Sequence, residues 1–428
     1  MGLFQLLSTE NDVIILQDHN KRFAWKQIKA LIAGTQQELE FRKAKSCAIL
    51  SDNTLEFVVS FLACSYLGVD ILLPPNDSQQ MIKRARADAY VGEFDQSIVI
   101  RPSTNEIVNN LIDPNIIIFT SGSTGQPKKI SRKLTQLLKE VDEIDQILGD
   151  IIPSKVFAST VSYQHIYGLL FCILWPLKKG HLIWNKILPF EEPLQVLTNK
   201  FKQIILISSP AFLKRITDHN IKISEKMQVY CSGGLLTKEQ HTTATTVLKS
   251  DIIQVYGSTE TGGIAHKSLK GFWQFFPSVE HKTENNILWV KSPFCYTNQW
   301  QNTCDIITID ENGFELLGRS DRIVKIEEKR VSLIQVEETI RQHDLVKDVH
   351  IIRMHNSRQY LVAVIVLETK GNKELMHYGK KDMKKNIKSF LRDKIERLAI
   401  PRHIRFLDEL PINTQGKILH HHVESLFK

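Results

Sequence analysis

The sequence predicts an α/β fold in which a large N-terminal domain of layered α/β sheets precedes a small α+β domain. Short β-branched runs alternate with helical periodicity along the first three quarters of the chain, and most of these runs end in loops that contain glycine or serine. The charge balance then changes near residue 319, which indicates a second domain. The 428 residues are 42% hydrophobic and 24% charged, an ordinary globular composition with enough length for two cores.

The N-terminal part shows helical periodicity at Trp25–Leu39 and Leu55–Leu67, and β-rich runs at Val13–Leu16, Ala48–Leu50 and Asp70–Leu73. Open α/β sheets bind ligands at the carboxyl ends of their strands, so we expect functional residues in the loops that follow them. Further strands are predicted at Asn115–Phe119, Val156–Thr160, Gln203–Ser208, Met227–Cys231, Ile252–Val255 and Ile287–Val290.

A domain boundary is predicted at 318–325, which divides the chain into residues 1–318 and 319–428. A tight turn at Asn312-Gly313 and its return strand come just before it. The following segment predicts a compact α+β unit, with helices at Leu333–Gln342 and Lys384–Leu398 and strands at His350–Met354 and Tyr360–Leu367.

The C-terminal part carries all of the excess charge. Residues 319–428 contain 23 lysines and arginines against 15 acidic residues, which accounts for the net charge of +8. A basic module indicates an anionic partner: a phosphate-bearing cofactor, an acidic protein, nucleic acid or a membrane surface. A solvated lysine-rich helix around Lys380–Lys394 is the competing interpretation.

Several classes of protein are disfavoured. The six cysteines are scattered without a CxxC pair, which is typical of reduced thiols in a cytoplasmic protein and predicts no metal site. The run His420–His422 is interpreted as a solvated stretch. The longest apolar run, Phe57–Val69, is too short to span a membrane, and the N-terminus has no signal-peptide pattern. We therefore expect a cytoplasmic protein without a membrane span.

The first chemical motif follows the strand predicted at Asn115–Phe119. Its glycines let the backbone approach a ligand closely, and its hydroxyls and lysine suit a polyphosphate. It is not a Walker A loop, because the lysine follows Pro127. A flexible turn is the competing interpretation. The residues assigned to nucleotide binding are Thr120, Ser121, Gly122, Ser123, Thr124, Gly125 and Lys128.

The second motif is Tyr256-Gly257-Ser-Thr259-Glu260. An aromatic ring can stack on a purine, a threonine can donate a hydrogen bond to a phosphate, and a carboxylate can hold Mg²⁺ beside a triphosphate. An ordinary turn with a capping threonine is the competing interpretation.

Two further pieces complete the pattern. Asp305 and Arg319 suit the two hydroxyls of a ribose, although Asp305 alone could be a turn residue. Lys417 follows Gly416 near the C-terminus and offers a mobile ammonium, where an exposed surface lysine is the default interpretation.

In order and spacing these pieces resemble the adenylate-forming superfamily of acyl-CoA synthetases, peptide-synthetase adenylation domains and luciferases. The resemblance runs from about Ala48 to the C-terminus, and each motif alone is weak. The matching segments are the phosphate loop Ser121–Lys128, the acyl-site motif Tyr163–Gly168, the adenine-side loop Ser232-Gly233-Gly234, the motif Tyr256–Glu260, Thr303–Asp305, the hinge motif Gly318–Lys325, and Gly416-Lys417.

The resemblance implies an adenylate-forming N-terminal domain, a mobile C-terminal lid and a two-step reaction. A carboxylate attacks the α-phosphate of MgATP and releases pyrophosphate, with Lys417 offsetting charge in the transition state. In this scheme Thr259 and Lys128 bind the phosphates, and Glu260 binds the metal. The small domain then rotates about Asp321 and admits a pantetheine thiol, which belongs to CoA or to the phosphopantetheine of a carrier protein.

The sequence departs from the family at four positions. Cys304 replaces a glycine, Lys129 replaces the glycine after the Pro-Lys pair, and Arg322 replaces the second aspartate of the hinge motif. Glu328 stands where relatives usually have a glycine that lines the thiol tunnel. A carboxylate there would hinder a thiolate, so the second step depends on where Glu328 points.

The acyl-site motif bears on the substrate. Relatives that activate amino acids carry an aspartate early in it, whereas this chain has Ser162-Tyr-Gln-His165. We therefore expect an aryl, fatty or hydroxy acid, with His165 as a gate to the pocket. The basic C-terminal part would complement an acidic acyl carrier protein or the phosphates of CoA.

Three other classes stay open. An adenylating enzyme with a non-thiol second step is favoured by Glu328. A non-catalytic nucleotide-binding relative is disfavoured because Lys417, Glu260, Asp305 and Arg319 are all present. A nucleic-acid binder would fit the pI of about 9, but no known nucleic-acid-binding motif accompanies the charge, so we expect no nucleic-acid partner.

Overall fold

The structure is a computed structural model with two compact units. It describes residues 13–18, 20–108, 110–120, 128–149, 156–216, 227–234, 236, 238–268, 271–326, 329–355, 359–392, 394–412 and 418–428. The first unit comprises Met1–His281, Val290–Gln301 and Glu311–Gly313, and the second comprises Lys282–Trp289, Asn302–Asp310 and Phe314–Lys428. This division rests on contacts and not on motion, so the domain boundary and hinge near 319–325 stay predictions.

The first unit contains two sheets. Their strands are β1 Ile14–Gln17, β2 Arg22–Ala24, β3 Ser46–Leu50, β4 Asp70–Leu73, β5 Ala89–Gly92, β6 Asn115–Thr120, β7 Lys128–Lys133, β8 Val156–Ser159, β9 Leu182–Ile187, β10 Ile204–Ser208, β11 Met227–Cys231, β12 Ile252–Ser258, β13 Gly262–Lys267 and β14 Gln274–Phe275. Nine strands form one sheet in the order β14-β13-β12-β11-β10-β8-β9-β1-β2. It is parallel from β12 to β1 and antiparallel at both edges.

The second sheet has the order β5-β3-β4-β6-β7 and is parallel except for β7. The helices of this unit are α1 Trp25–Phe41, α2 Thr54–Leu67, α3 Gln79–Ala85, α4 Leu134–Leu148, α5 Ile166–Gly168, α6 Trp175–Lys179, α7 Glu192–Lys200, α8 Pro210–Leu213 and α9 Lys238–Leu248. A π-helix, Leu169–Leu174, joins α5 to α6. The layered α/β architecture predicted from the sequence is confirmed.

Helix α2 explains how the two sheets share a core. It packs against β3, β4 and β5 of one sheet and against β9 of the other. Its residues are apolar on nearly all sides, which is typical of a helix buried between layers. Asn53 caps its start by accepting from the backbone N–H groups of Leu55 and Glu56, at 3.1 and 3.3 Å. The helix ends at Gly68, whose φ of 70° is the left-handed conformation that glycine adopts without strain.

One element of the first unit differs from expectation. The sequence predicts that β6 leads through a loop directly to a helix from Leu134. The structure places strand β7 before that helix, antiparallel to β6, with Thr120 opposite Lys128. The sequence does not indicate this strand, because four of the six residues of Lys128–Lys133 are charged and only two of the six side chains face the core.

The second unit is an α+β unit. The strands that lie wholly or mostly in it are β15 Glu280–Glu284, β16 Ile287–Lys291, β17 Gln301–Asp310, β18 Gly313–Arg319, β19 Ile323–Ile326, β20 Lys329–Ser332, β21 Val346–His355, β22 Gln359–Leu367 and β23 His403–Leu407. Its helices are α10 Leu333–Arg341, α11 Thr369–Arg392 and α12 His420–Ser425, with 3-10 turns at Ser320–Arg322 and Arg397–Ala399. Its three sheets are ordered β15-β16-β17-β18, β19-β20 and β21-β22-β23.

The predicted turn at Asn312-Gly313 and the first predicted helix of this unit are confirmed. The second prediction, a helix at Lys384–Leu398, is wrong in its bounds. Helix α11 begins at Thr369 and ends at Arg392, with a break at Gly379 where φ is 81°. The first half of α11 is too polar to show a periodic apolar face. Within the described ranges no helix has the length and apolar character to cross a membrane.

Candidate functional site

The carboxyl ends of four parallel strands bring polar groups together in the first unit. Ser208 lies opposite Cys231 at the ends of β10 and β11, and Ser159 at the end of β8 lies opposite Ile207, one residue before Ser208. The hydroxyls of Thr160 and Ser208 lie 3.0 Å apart, and the Ser232 hydroxyl donates to the carbonyl of residue 255 on β12 at 2.8 Å. The predicted adenine-side loop therefore lies beside the predicted purine-stacking motif.

That loop is open to a ligand. Gly233 has a φ of 97°, where a side chain would be strained, and no atom lies within 4 Å of the position of an added Cβ. Gly233 and Gly234 are both exposed. A flat ring can therefore approach this backbone closely.

The motif Tyr256–Glu260 runs from the end of β12 into the turn before β13. The Tyr256 ring packs edge-on against Trp273, with centroids 5.7 Å apart, and stays half-buried. In the turn, the Ser258 and Thr261 side chains accept from each other's backbone N–H groups, both at 3.1 Å. These bonds hold the turn that carries Thr259 and Glu260.

A buried ion pair anchors the same turn. Glu140 of α4 accepts from the Arg132 guanidinium at 2.7 Å and, through its other oxygen, from the backbone N–H of Gly263 at 2.7 Å. Arg132 and Glu140 are 0% and 2% exposed. Nothing in the sequence indicates this pair, because a charged residue in a strand is normally expected to face solvent.

Tyr296 connects two of the predicted site residues. The Lys128 ammonium lies 4.8 Å from the centre of its ring, and its backbone N–H donates to the Glu260 carbonyl at 2.8 Å. The Gln136 side chain fixes this segment by donating to the carbonyls of residues 293 and 295. The predicted phosphate lysine and the backbone of the predicted metal-binding residue thus share Tyr296 as a neighbour. Sequence reasoning missed Tyr296 because it lies in an irregular segment.

The acyl-site motif is lined by neutral groups. Tyr163 is buried, its hydroxyl lies 2.8 Å from the Thr54 hydroxyl, and burial raises its pKa above the usual range. Burial also raises the pKa of Tyr167, and it raises the pKa of the Cys172 thiol to about 12. His165 is half-buried and directly precedes helix α5. The motif itself contains no aspartate or glutamate.

The predicted ribose pair belongs to the second unit. One guanidinium nitrogen of Arg319 lies 3.3 Å from a carboxylate oxygen of Asp305 and donates to the Thr303 carbonyl at 3.2 Å. Cys304 has a φ of 60°, in the left-handed region that glycine favours. The glycine that the family motif has at that position would adopt this conformation without strain.

Two family models match the chain. The model of the AMP-binding enzyme covers residues 84–288, and that of the AMP-binding enzyme C-terminal domain covers residues 335–417, about two thirds of the chain together. The chain belongs to the AMP-binding, or adenylate-forming, enzymes. The C-terminal model ends at Lys417.

Individual relatives in this family are distant. A putative long chain fatty acid-CoA ligase of Staphylococcus haemolyticus is 23% identical over 72% of this chain and 69% of its own length. A 4-coumarate–CoA ligase of Cereibacter sphaeroides is 26% identical over 54% of each chain. In fold, the chain is similar to the O-succinylbenzoate coenzyme A synthetase of Bacillus subtilis in complex with AMP, with a TM-score of 0.80, 18% identity and coverage of 99% and 97%.

Adenylate-forming enzymes use ATP, and the relatives named here are acid–thiol ligases by name, so ATP-dependent activation of an acid is the activity that membership supports. Several residues predicted to carry it, Ser121–Gly125, Glu328 and Lys417, lie outside the described residues, as does the side chain of Asp321. Their roles stay predictions, as do those of the site residues that the structure describes.

The described residues fit a magnesium ion only in part. They contain no group of three His, Cys, Asp or Glu side chains that could hold a metal. A nucleotide-bound Mg²⁺ commonly needs just one or two carboxylates, because phosphates and waters supply its other ligands. Glu260, on a turn near Lys128, suits that arrangement.

The residues on both sides of the predicted hinge are held in place. The Ser320 hydroxyl donates to the Cys304 carbonyl at 2.9 Å, and the Arg322 guanidinium donates to the Ile351 carbonyl at 3.0 Å. Arg322, which replaces an aspartate of the family motif, also pairs with Glu337.

Glu337 is the centre of a buried network in the second unit. It accepts from the Ile351 N–H at 2.7 Å and lies 3.1 Å from a ring nitrogen of His350. Burial alone would raise its pKa, but the hydrogen bond from His350 and the charge of Arg322 outweigh burial, so the pKa of Glu337 is lowered. The carboxylate therefore stays ionised and holds Arg322 to α10 and β21.

Proposed function

We propose that this chain is an acid–thiol ligase that forms an acyl-adenylate from ATP and then transfers the acyl group to a pantetheine thiol. The observation that carries the proposal is the grouping of Lys128, Tyr296 and Glu260, close to the turn that Glu140 anchors. Tyr296 takes the Lys128 ammonium against its ring and bonds the backbone carbonyl of Glu260, so a cation and a carboxylate-bearing residue share this neighbour. Such a pair suits the phosphates of a nucleotide and its metal.

In the first step a carboxylate oxygen of the substrate attacks the α-phosphorus of ATP. The bond from that phosphorus to the bridging oxygen breaks, and pyrophosphate leaves. Lys128 holds the outer phosphates, Asp305 accepts from the ribose hydroxyls, and Lys417 offsets the charge that builds between carboxylate and α-phosphate. Mg²⁺, when bound at Glu260, neutralises part of the phosphate charge.

In the second step a thiolate attacks the acyl carbonyl, and AMP leaves with the electron pair of the broken acyl–oxygen bond. The acceptor thiol belongs to CoA or to a carrier protein. Lys417 would have to move away between the steps, because it favours phosphate charge in the first and would obstruct the thiol in the second.

The acid is proposed to be an aryl, fatty or hydroxy acid. The sequence of the acyl-site motif supports this, since Tyr163–Gly168 contains no aspartate or glutamate that could pair with an ammonium group. The names of the ligase relatives, which refer to a long-chain fatty acid and to 4-coumarate, agree with the same range.

The test is acid-dependent release of pyrophosphate from MgATP, with hydroxylamine present to trap the adenylate as a hydroxamate. A panel of aryl, fatty, hydroxy and amino acids should give a signal with one of the first three classes. A signal with amino acids alone would overturn the assignment of the acid. No signal with any acid, despite ATP binding, would favour a non-catalytic nucleotide-binding protein.

A second candidate function is an adenylating enzyme with a non-thiol second step, and the carboxylate of Glu328 in the predicted thiol tunnel favours it. The two candidates differ in their products. Thioester formation with CoA or a holo-carrier protein supports the ligase, whereas release of free acyl-AMP in the presence of both thiols supports the alternative.

Replacing Asp305 with alanine should raise the KM for ATP about 10- to 100-fold, because the ribose loses hydrogen bonds to a charged acceptor. Pyrophosphate release at varied ATP concentrations measures this. The KM for the acid and the urea midpoint of unfolding should stay close to their original values. An unchanged KM for ATP would show that Asp305 is a turn residue and not part of the nucleotide site.

A further inference from the structure

A cluster of cations lies where α11 meets β23. We call it the basic face, and its six members are the cations Lys380, Lys384, Lys388, Arg402 and Arg405 together with the imidazole of His403. The three lysines recur every four residues after the break at Gly379, so they share one side of the helix. The Lys388 ammonium donates to the Arg402 carbonyl at 2.7 Å, which joins the helix to the start of the strand.

These cations lie close enough to repel one another. Burial, and after it the charges of Arg405 and Lys380, lowers the pKa of Lys384. His403 has its pKa lowered by burial and by four surrounding cations, among them Arg402 and Lys388. Like charges at such short range cost stability.

Among the described residues, no acidic side chain pairs with these cations. In the part of the chain that the structure describes, none of the six forms an ion pair with a carboxylate. Some basic residues of the same unit do pair, as Arg341 does with Asp348 and Lys428 with Glu424. A group of neighbouring cations without such a partner among the described residues suits a surface that meets an anion from outside.

Aromatic rings hold two of the cations in place. The Arg402 guanidinium lies 5.2 Å from the centre of the Tyr360 ring, and that of Arg405 lies 5.9 Å from the centre of the Phe427 ring. Tyr360 also packs edge-on against His403, at 5.7 Å. A cation fixed in this way loses less side-chain entropy on binding than a free one.

We propose that the basic face is the docking surface for an acidic carrier protein that presents the acceptor thiol on its phosphopantetheine arm. This rests on the proposed function, because it names the thiol donor of the second step. Lys380 and Lys388 are about 12 Å apart along the helix, a length that suits a row of carboxylates on a protein better than a single phosphate. Charge complementarity of this kind sets the rate and the partner of association.

The surface is less suited to a lipid membrane. Helices that bind membranes mix lysines with large apolar side chains that enter the lipid. The exposed apolar residues of α11, Met376 and Tyr378, precede the break at Gly379 and are not interspersed with the three lysines of the basic face.

The test compares two charge-reversal pairs in the full chain. Lys384→Glu with Arg405→Glu alters the basic face, and Lys370→Glu with Lys373→Glu is the matched control, since both of its lysines are exposed on the first half of α11. The assays are pyrophosphate release, acyl transfer to a purified acidic holo-acyl carrier protein, and acyl transfer to free pantetheine. Only the first pair should lower kcat/KM for the carrier protein, at least about tenfold, the low end of electrostatic steering.

In both double variants, the rates of pyrophosphate release and of acyl transfer to pantetheine should stay within about twofold of those of the original chain. Equal losses with pantetheine, or an unchanged kcat/KM for the carrier protein, would overturn the proposal. So would turnover of CoA by the original chain without any transfer to a carrier protein, although the proposed ligase function would then stand.

Direct binding separates failure of this proposal from failure of the proposed function. Should no acid be adenylated, association of the holo-carrier protein with the chain is measured without catalysis, at rising salt. Salt-sensitive binding that the first pair alone removes supports the docking surface. Absence of binding, or tighter binding of duplex DNA or of anionic phosphatidylglycerol vesicles with the same dependence on Lys384 and Arg405, contradicts it.

Discussion

Replacing Lys417 with alanine is expected to lower the rate of adenylate formation about 100- to 1,000-fold, the range found when one fixed donor to a developing charge is removed. The carboxylate and the α-phosphate are both anionic, and no other residue of the matched motifs is assigned to the charge that builds between them. The rate of hydroxamate formation from acid, MgATP and hydroxylamine measures the effect. Thermal unfolding should be unchanged.

The two-step scheme supplies the control for this variant. A chemically prepared acyl-adenylate should still be converted to thioester at close to the original rate, because Lys417 is proposed to be absent from the site in that step. Lys373→Ala, another lysine of the second unit, should leave both rates unchanged. Undiminished adenylation in Lys417→Ala would refute the assigned role, and equal loss of both steps would point to damage to the fold.

Replacing Glu140 with alanine should lower the free energy of unfolding by about 3–5 kcal/mol, because it leaves the Arg132 charge buried without a partner. The carboxylate also satisfies the Gly263 N–H, so the turn that carries Glu260 should loosen at the same time. Urea unfolding followed by tryptophan fluorescence measures the loss, and the KM for ATP reports the effect on the turn.

Two variants sharpen this prediction. Removing both charges, with Arg132→Met and Glu140→Leu, should recover much of the lost stability, because buried ion pairs replaced by apolar groups are often neutral. Glu284→Ala breaks an exposed pair with Lys282 and should change the free energy of unfolding by less than about 1 kcal/mol. Similar losses for Glu140→Ala and Glu284→Ala would show that the buried pair contributes no more than a surface one.

The strands of the first unit could be predicted because buried parallel strands are continuous apolar runs. Ile204–Ser208 and Met227–Cys231 are mostly apolar. The predicted bounds of both strands lie within one residue of the observed bounds. Strand β7 could not be predicted, because the burial of Arg132 depends on Glu140, which lies on the following helix. An ion pair that bridges two elements leaves no local pattern in the sequence.

The candidate site, like the fold, could be predicted only in part. Glycine-rich loops and the segment Tyr256–Glu260 are recognisable because their chemistry is local. Tyr296 was missed because its role depends on a ring that faces Lys128 and a backbone N–H that faces Glu260, and both are set by the folded chain. The basic face was foreseen only as a net charge, since its strand residues and its helix residues are separated in the sequence.

The anchoring of Ser320 and Arg322 has a mechanical consequence. Each is hydrogen-bonded to a different strand, Ser320 to β17 and Arg322 to β21, and a single residue lies between them. If the two strands move apart as rigid bodies, most of the turn must come from the two backbone torsion angles of residue 321. Rotation about those bonds would move an atom farther the more distant it is from them, so a small change in torsion angle there would become a large displacement far away. Arg322, which replaces an acidic residue of the family motif, would then fix one side of this rotation through its hydrogen bond to β21.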